Sequence, residues 1–162
     1  MPNVTSSVVV PVDPATAFAV AQTTGEVRLR WDSFIRRQYF LDGATDPAVG
    51  VQTHTRHRWG LGVVSEYVSY APPTNVGMKM VRGPWFFSHL AGGWRFAAAE
   101  GATKATWKYS FRCRPRWLAP LAEAIGCRVL QRDIDRRIAG FARGCRDEVV
   151  LASVRDAGGG AP

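Results

Sequence analysis

From Arg36 to Cys113 the side chains alternate with a period of two, and from Trp117 to Ala152 apolar residues recur every three to four positions. This single switch of period constrains the fold more than any other feature. Strands are expected at about 36–42, 51–59, 62–70, 75–82, 86–99 and 103–113. Turn residues separate them: Asp42-Gly43 with Asp46-Pro47, Trp59-Gly60, Pro72-Pro73, Gly83-Pro84 and Glu100-Gly101. Connections this short cannot hold crossover helices, so the six strands form an antiparallel meander. Gly92-Gly93 within the long strand 86–99 suggests a bulge or bend, as a curved sheet needs. The helical stripe runs through Leu118, Leu121, Ile125, Val129, Ile134, Ile138, Phe141, Cys145 and Val149, and reads as one helix over 117–152. Gly126, Gly140 and Gly144 mark a bend in it or the close approach of a ligand. Asp133 with Arg137, and Arg143 with Asp147, read as i,i+4 pairs on its outer faces.

Ahead of the meander, Thr5–Val12 is a valine-rich strand. Asp13-Pro14 is a helix start: the aspartate can cap, and proline tolerates the first helical position. A short helix follows over 15–23, closed by Gly25, and Glu26–Phe34 forms a second short helix or turn that carries Trp31 and Phe34. The reading is a single α+β domain over residues 4–152, with about seven antiparallel strands wrapped around a long C-terminal helix and a flexible tail at 153–162. A domain of this length buries roughly two-thirds of its unfolded surface and can carry a core without staples. No apolar run is long enough to span a bilayer, and the N-terminus lacks the basic start and apolar run of a secretory leader. Cys127 and Cys145, placed on one helix, would lie about 27 Å apart, beyond disulfide reach. Reduced thiols in a cytoplasmic protein are the expectation. No metal-ligand spacing, phosphate-binding loop, dinucleotide fingerprint or nucleophile motif occurs, so no cofactor is expected.

Several stretches resemble the START-like, or helix-grip, superfamily, which includes polyketide cyclases, lipid-transfer domains and the birch-pollen allergen group. They are Val8-Val9-Val10-Pro11-Val12-Asp13-Pro14-Ala15 with Phe18, then Trp31, then Trp94-Arg95-Phe96, Gly101 with Thr103, and Trp107-Lys108-Tyr109-Ser110-Phe111. The resemblance covers residues 4 to about 152. It implies an apolar cavity between the concave sheet face and the long helix, and strand parity then nominates its lining. In 62–70, Ser65, Tyr67 and Ser69 share one face, similar to the pocket side of the polyketide cyclases. Met78 and Met80, Phe86, Ser88 and Leu90, Trp94 and Phe96, and Trp107, Tyr109 and Phe111 add to it. Trp31 joins from the second short helix, and Ile134, Ile138 and Phe141 from the long one. Related aromatase/cyclases carry an arginine further along the strand of Tyr67 and Ser69. This chain has Ala71 there, leaving Arg82 and Arg95 as substitutes.

The expected function is binding of a small hydrophobic molecule (a lipid, polyketide or aromatic metabolite), with Tyr67, Ser69, Ser88 and Tyr109 setting its orientation. One alternative is an aromatase/cyclase using Tyr67, Ser65 and Arg82 as donors. A second is an interaction module whose basic helix docks an anionic partner. His54 and His57 lie on opposite strand faces and cannot share a metal. With His89, they read as structural or surface histidines. Asp32 and Glu66 read as exposed carboxylates. The net charge of +8, carried mostly by arginine, is dispersed along the chain, so a nucleic-acid partner is not expected. The protein is expected to be a monomer or homodimer.

Overall fold

In the computed structural model, which describes residues 1–158, seven strands form one antiparallel sheet ordered β1-β7-β6-β5-β4-β3-β2. The strands are β1 (Asn3–Val10), β2 (Ile35–Phe40), β3 (Gln52–His57), β4 (Gly62–Ala71), β5 (Asn75–Arg82), β6 (Phe87–Ala99) and β7 (Ala102–Cys113). Every consecutive pair from β2 to β7 is hydrogen-bonded, as the short turns require, and β1 closes the sheet by pairing with β7. The alternation in β7 is strict: Thr103, Ala105, Trp107, Tyr109, Phe111 and Cys113 all point inward and are buried.

Asp13 caps α1 (Pro14–Gln22) by accepting the Thr16 N–H at 3.0 Å. The helix buries Ala17, Phe18, Val20 and Ala21 against the sheet. Gly25, expected to end α1, instead opens α2 (Gly25–Trp31) with a φ of +58°, which glycine adopts without strain. The predicted long helix is two helices. α3 (Ala119–Gly144) stops at Cys145, and α4 (Glu148–Gly158) starts afresh because Asp147 accepts the Val149 N–H at 2.9 Å as its cap. Asp147 also pairs with Arg30 of α2 rather than with Arg143. α4 runs through the first part of the predicted tail, burying Val150 and Leu151; residues 159–162 lie outside the described part.

The three small-residue positions of α3 meet protein, not ligand. Gly140 and Gly144 seat Trp31, whose carbonyl oxygen and ring would collide with added β-carbons, and Gly126 lies over Phe111. Phe141, fully buried, is the hub of the core, with ring centroids 4.7 Å from Trp94, 5.6 Å from Trp31 and 6.2 Å from Phe96. No described helix is long and apolar enough to cross a membrane.

Of the four register shifts in the sheet, two change which nominated side chains face inward. In β4 the register against β5 shifts between Tyr67 and Ser69, so Val68 is the extra residue and Tyr70 rejoins the inner face, edge-on to Tyr67 and Phe18. In β6 the register against β7 shifts between Phe87 and His89, which puts Phe87 rather than Ser88 on the inner face.

Candidate functional site

The sheet curls around α3 without filling the space between them. The main chamber, about 820 Å³, lies between β3–β7 and the first half of α3. Its walls are chiefly apolar: Val63, Met78, Met80, Phe86, Phe87, Leu90 and Trp107 on the sheet side, and Ile125, Val129 and Leu130 on the helix. A smaller chamber of about 280 Å³ lies against α2, lined by Arg28, Thr53, Tyr67, Val76 and Trp94. Gln38, Met78, Trp107 and Arg137 line both, so they form the partition.

The partition rests on a buried ionic cluster. Asp32, at the end of α2, is wholly buried and accepts hydrogen bonds from Arg28 Nε at 2.8 Å, Arg137 Nε at 3.1 Å and the Phe34 N–H at 3.2 Å. Arg137 also donates to the Tyr109 hydroxyl at 3.1 Å. Its guanidinium carbon stands 4.4 Å from the centre of Trp107, as that of Arg28 does from Trp31. Burial works to raise the Asp32 pKa, but the two guanidiniums and the hydrogen bonds outweigh it and hold the carboxyl below its ordinary value. Burial likewise pushes the Tyr109 hydroxyl up, and that of Tyr67 to about 12. Two guanidiniums against one carboxylate leave the cluster with one uncompensated positive charge beside the chambers.

His57 adds a neutral donor. Burial holds its pKa below the ordinary histidine value, and its Nδ1 accepts the Trp59 N–H at 3.1 Å. The proton therefore resides on Nε2, and His57 lines the main chamber.

Of the residues nominated by parity, Ser65, Met78, Met80, Phe86, Leu90, Trp107 and Tyr109 line the main chamber, and Tyr67 and Trp94 the smaller one. Trp31, Phe96, Ile134, Ile138 and Phe141 pack in the core and line neither. Ser69 and Ser88 also stand away from both: Ser69 bonds Asn75 at 3.3 Å, and Ser88 is exposed and donates to the Arg112 carbonyl. The bulges beside them are the reason. Asp32 is buried rather than exposed, because two arginines replace its hydration. Arg137 faces inward to it rather than outward to Asp133. Arg82 and Arg95 are exposed and line neither chamber. Glu66 pairs with Lys79 at 3.0 Å, and His54 packs against Tyr39 on the outer face. The cluster had a sequence signal: Arg137 falls in phase with Ile134 and Phe141 on the apolar stripe, where a charge needs a buried partner.

Residues 1–146 match the family model described as polyketide cyclase / dehydrase and lipid transport. The chain belongs to this family. Solved structures similar to this family member include a START superfamily protein from Mycobacterium smegmatis, with a TM-score of 0.67 and 13% identity, covering 87% of this chain and 97% of the other. The Zhui aromatase/cyclase from Streptomyces matches with a TM-score of 0.72 at 13% identity, over 91% and 95% of the two chains. A Thermus thermophilus protein, TTHA0849, matches with a TM-score of 0.72 at 13% identity, over 94% and 99%. At these identities the likeness is one of fold: a helix-grip, START-like sheet curved around a C-terminal helix. No curated protein matches the chain.

Proposed function

We propose that this family member binds a small, largely apolar molecule in the main chamber, of lipid, polyketide or aromatic-metabolite type. The observation that carries the reading is the chamber itself: about 820 Å³ with mostly apolar walls, inside the usual size range of small-molecule sites. The buried cluster refines it. An unbalanced guanidinium in a low-dielectric interior favours an acceptor nearby, so the ligand carries a carbonyl, carboxylate or phenolate against Arg137 and His57 Nε2. Met78 and Met80 give the wall adaptability. The three free thiols agree with a reducing, cytoplasmic setting.

A second reading is favoured by the same donors: Arg137 with Tyr109, and His57, all line the main chamber, and stabilisation of an enolate or phenolate requires donors of this kind. A vestigial cavity, by contrast, fits poorly with a chamber this large. Native mass spectrometry of the purified protein tests the binding reading. A retained mass of roughly 200–800 Da, weakened or lost in Arg137→Met, is the expected result. A clean apo mass that no lipid or aromatic polyketide shifts would overturn it. Intact recovery of an added polyketide supports carriage, and a dehydrated or cyclised product supports the enzyme.

A further inference from the structure

The chain's charge is dispersed in sequence but not in space. In an antiparallel meander, the β3–β4 hairpin, the β5–β6 connection and the passage from β7 into α3 all lie at the same end of the sheet. This end also holds the outer part of the main chamber, which Trp59, Leu61, Phe86 and Ile125 line. Residues 56–62, 81–88 and 112–117 together contain six arginines and no acidic residue, a net of +6 in a chain whose total is +8. Arg56 and Arg58 lead into the hairpin, Arg82 precedes the next connection, and Arg112, Arg114 and Arg116, all exposed, lead out of β7.

The same end is where the tryptophans come out. Three of the six are buried, at positions 31, 94 and 107. The other three, Trp59, Trp85 and Trp117, are 69%, 75% and 81% exposed, one on each of the three segments. Leu121 and Ile125, also exposed, continue the apolar surface along α3. Exposed indoles that each share a short segment with arginine match the chemistry of a bilayer interface, where tryptophan settles at headgroup depth and arginine meets lipid phosphate. A polar partner such as duplex DNA would account for the arginines and not for three solvent-facing indoles.

We propose that this end docks on an anionic lipid surface, with the three tryptophans in the headgroup region and the arginines on phosphate. The main chamber then opens toward the bilayer. That consequence for ligand exchange rests on the binding reading; the docking does not.

The test is co-sedimentation of the full chain with vesicles of phosphatidylcholine alone, and of phosphatidylcholine with phosphatidylglycerol, across a salt series. Binding to the anionic vesicles at low salt, falling as salt rises and accompanied by a blue shift of tryptophan emission, is expected. Arg114→Ala/Arg116→Ala should weaken partitioning about 30-fold, at about fivefold per arginine. Trp85→Ser/Trp117→Ser should reduce both partitioning and the blue shift. Neither pair lines a chamber, so retained ligand mass in both variants reports that the fold and the cavity are intact. Absence of binding to the anionic vesicles would overturn the proposal, as would binding that both variants leave unchanged. Tighter binding to duplex DNA than to vesicles, indifferent to the tryptophan pair, would overturn it in favour of nucleic acid. Because ligand retention is measured without vesicles, failure of docking and failure of ligand binding are separate results.

Discussion

Asp32→Asn should be among the most damaging conservative substitutions available in this chain. The carboxylate is wholly buried and holds two guanidiniums that are themselves only 6% exposed. Amidation keeps the shape but removes the charge, leaving Arg28 and Arg137 buried together without a counter-charge. Breaking one side of a buried ion pair costs about 3–5 kcal/mol. A domain of this size has on the order of 5–15 kcal/mol in total, so the variant forfeits a large part of its stability. The melting temperature should fall by roughly 6–20 °C, and the urea midpoint should drop with the slope unchanged. The double variant Asp32→Asn/Arg137→Met removes a guanidinium along with the carboxylate. It should be more stable than Asp32→Asn alone, which is the non-additivity of one connected cluster. A loss below about 1 kcal/mol for Asp32→Asn, or simple additivity of the two changes, would refute the account and leave the cluster as solvated charges.

The cluster also sets the acid response. The Asp32 pKa is lower in the fold than in the unfolded chain, so its contribution is complete above the unfolded value and lost as pH falls through the folded one. Acid titration of unfolding should therefore show a steep loss below about pH 4 that Asp32→Asn lacks. His57 acts in the same sense at milder pH: its folded pKa is lowered, so stability declines as pH drops below about 6.5, and His57→Gln should flatten that limb. Gly140→Ala gains helix propensity but drives a methyl into the Trp31 carbonyl; chemical denaturation should show a net loss on the order of 1–2 kcal/mol. Ellman's reagent should find one fast thiol in the native protein and three in denaturant. Cys127 is half-buried, while Cys113 and Cys145 are buried and burial lifts the Cys145 thiol to about 12.

What the sequence discloses and what it hides follow one physical line. Period and turn chemistry are local, and they place all seven strands, both short helices and the start of the long one to within a few residues. Parity is local only until a bulge intervenes. Reading Ser69 as a neighbour of Tyr67, and Ser88 of Phe86, assumes an unbroken ladder, and the register shifts at Val68 and Ser88 reverse it. The helix break at Asp147 was hidden because the apolar spacing continues through it into Val150 and Leu151; only the cap bond reveals a second start. Asp32 and Arg137 read as surface charges for a different reason. They lie 105 residues apart, and a charge that looks solvated in sequence becomes a core residue only once the fold brings its counter-ion.

The same reasoning governs the surface. Counted along the chain, arginines at 56, 58, 82, 112, 114 and 116 form no long run, and a reading of linear clusters discounts them. A meander brings alternate turns to one end, so residues separated by one hairpin period share a surface although 20 or more others intervene. Trp59, Trp85 and Trp117 sit about 26 and 32 residues apart for that reason, each on a turn or terminus at the same end. Burial cannot have selected them, since burying them would offset part of the cost of folding and they stay exposed. A domain that fills its core with Trp31, Trp94 and Trp107 and leaves three further indoles in water beside its cavity has a surface whose apolar character must be accounted for outside the folded chain. The vesicle experiment decides whether that account is a lipid interface.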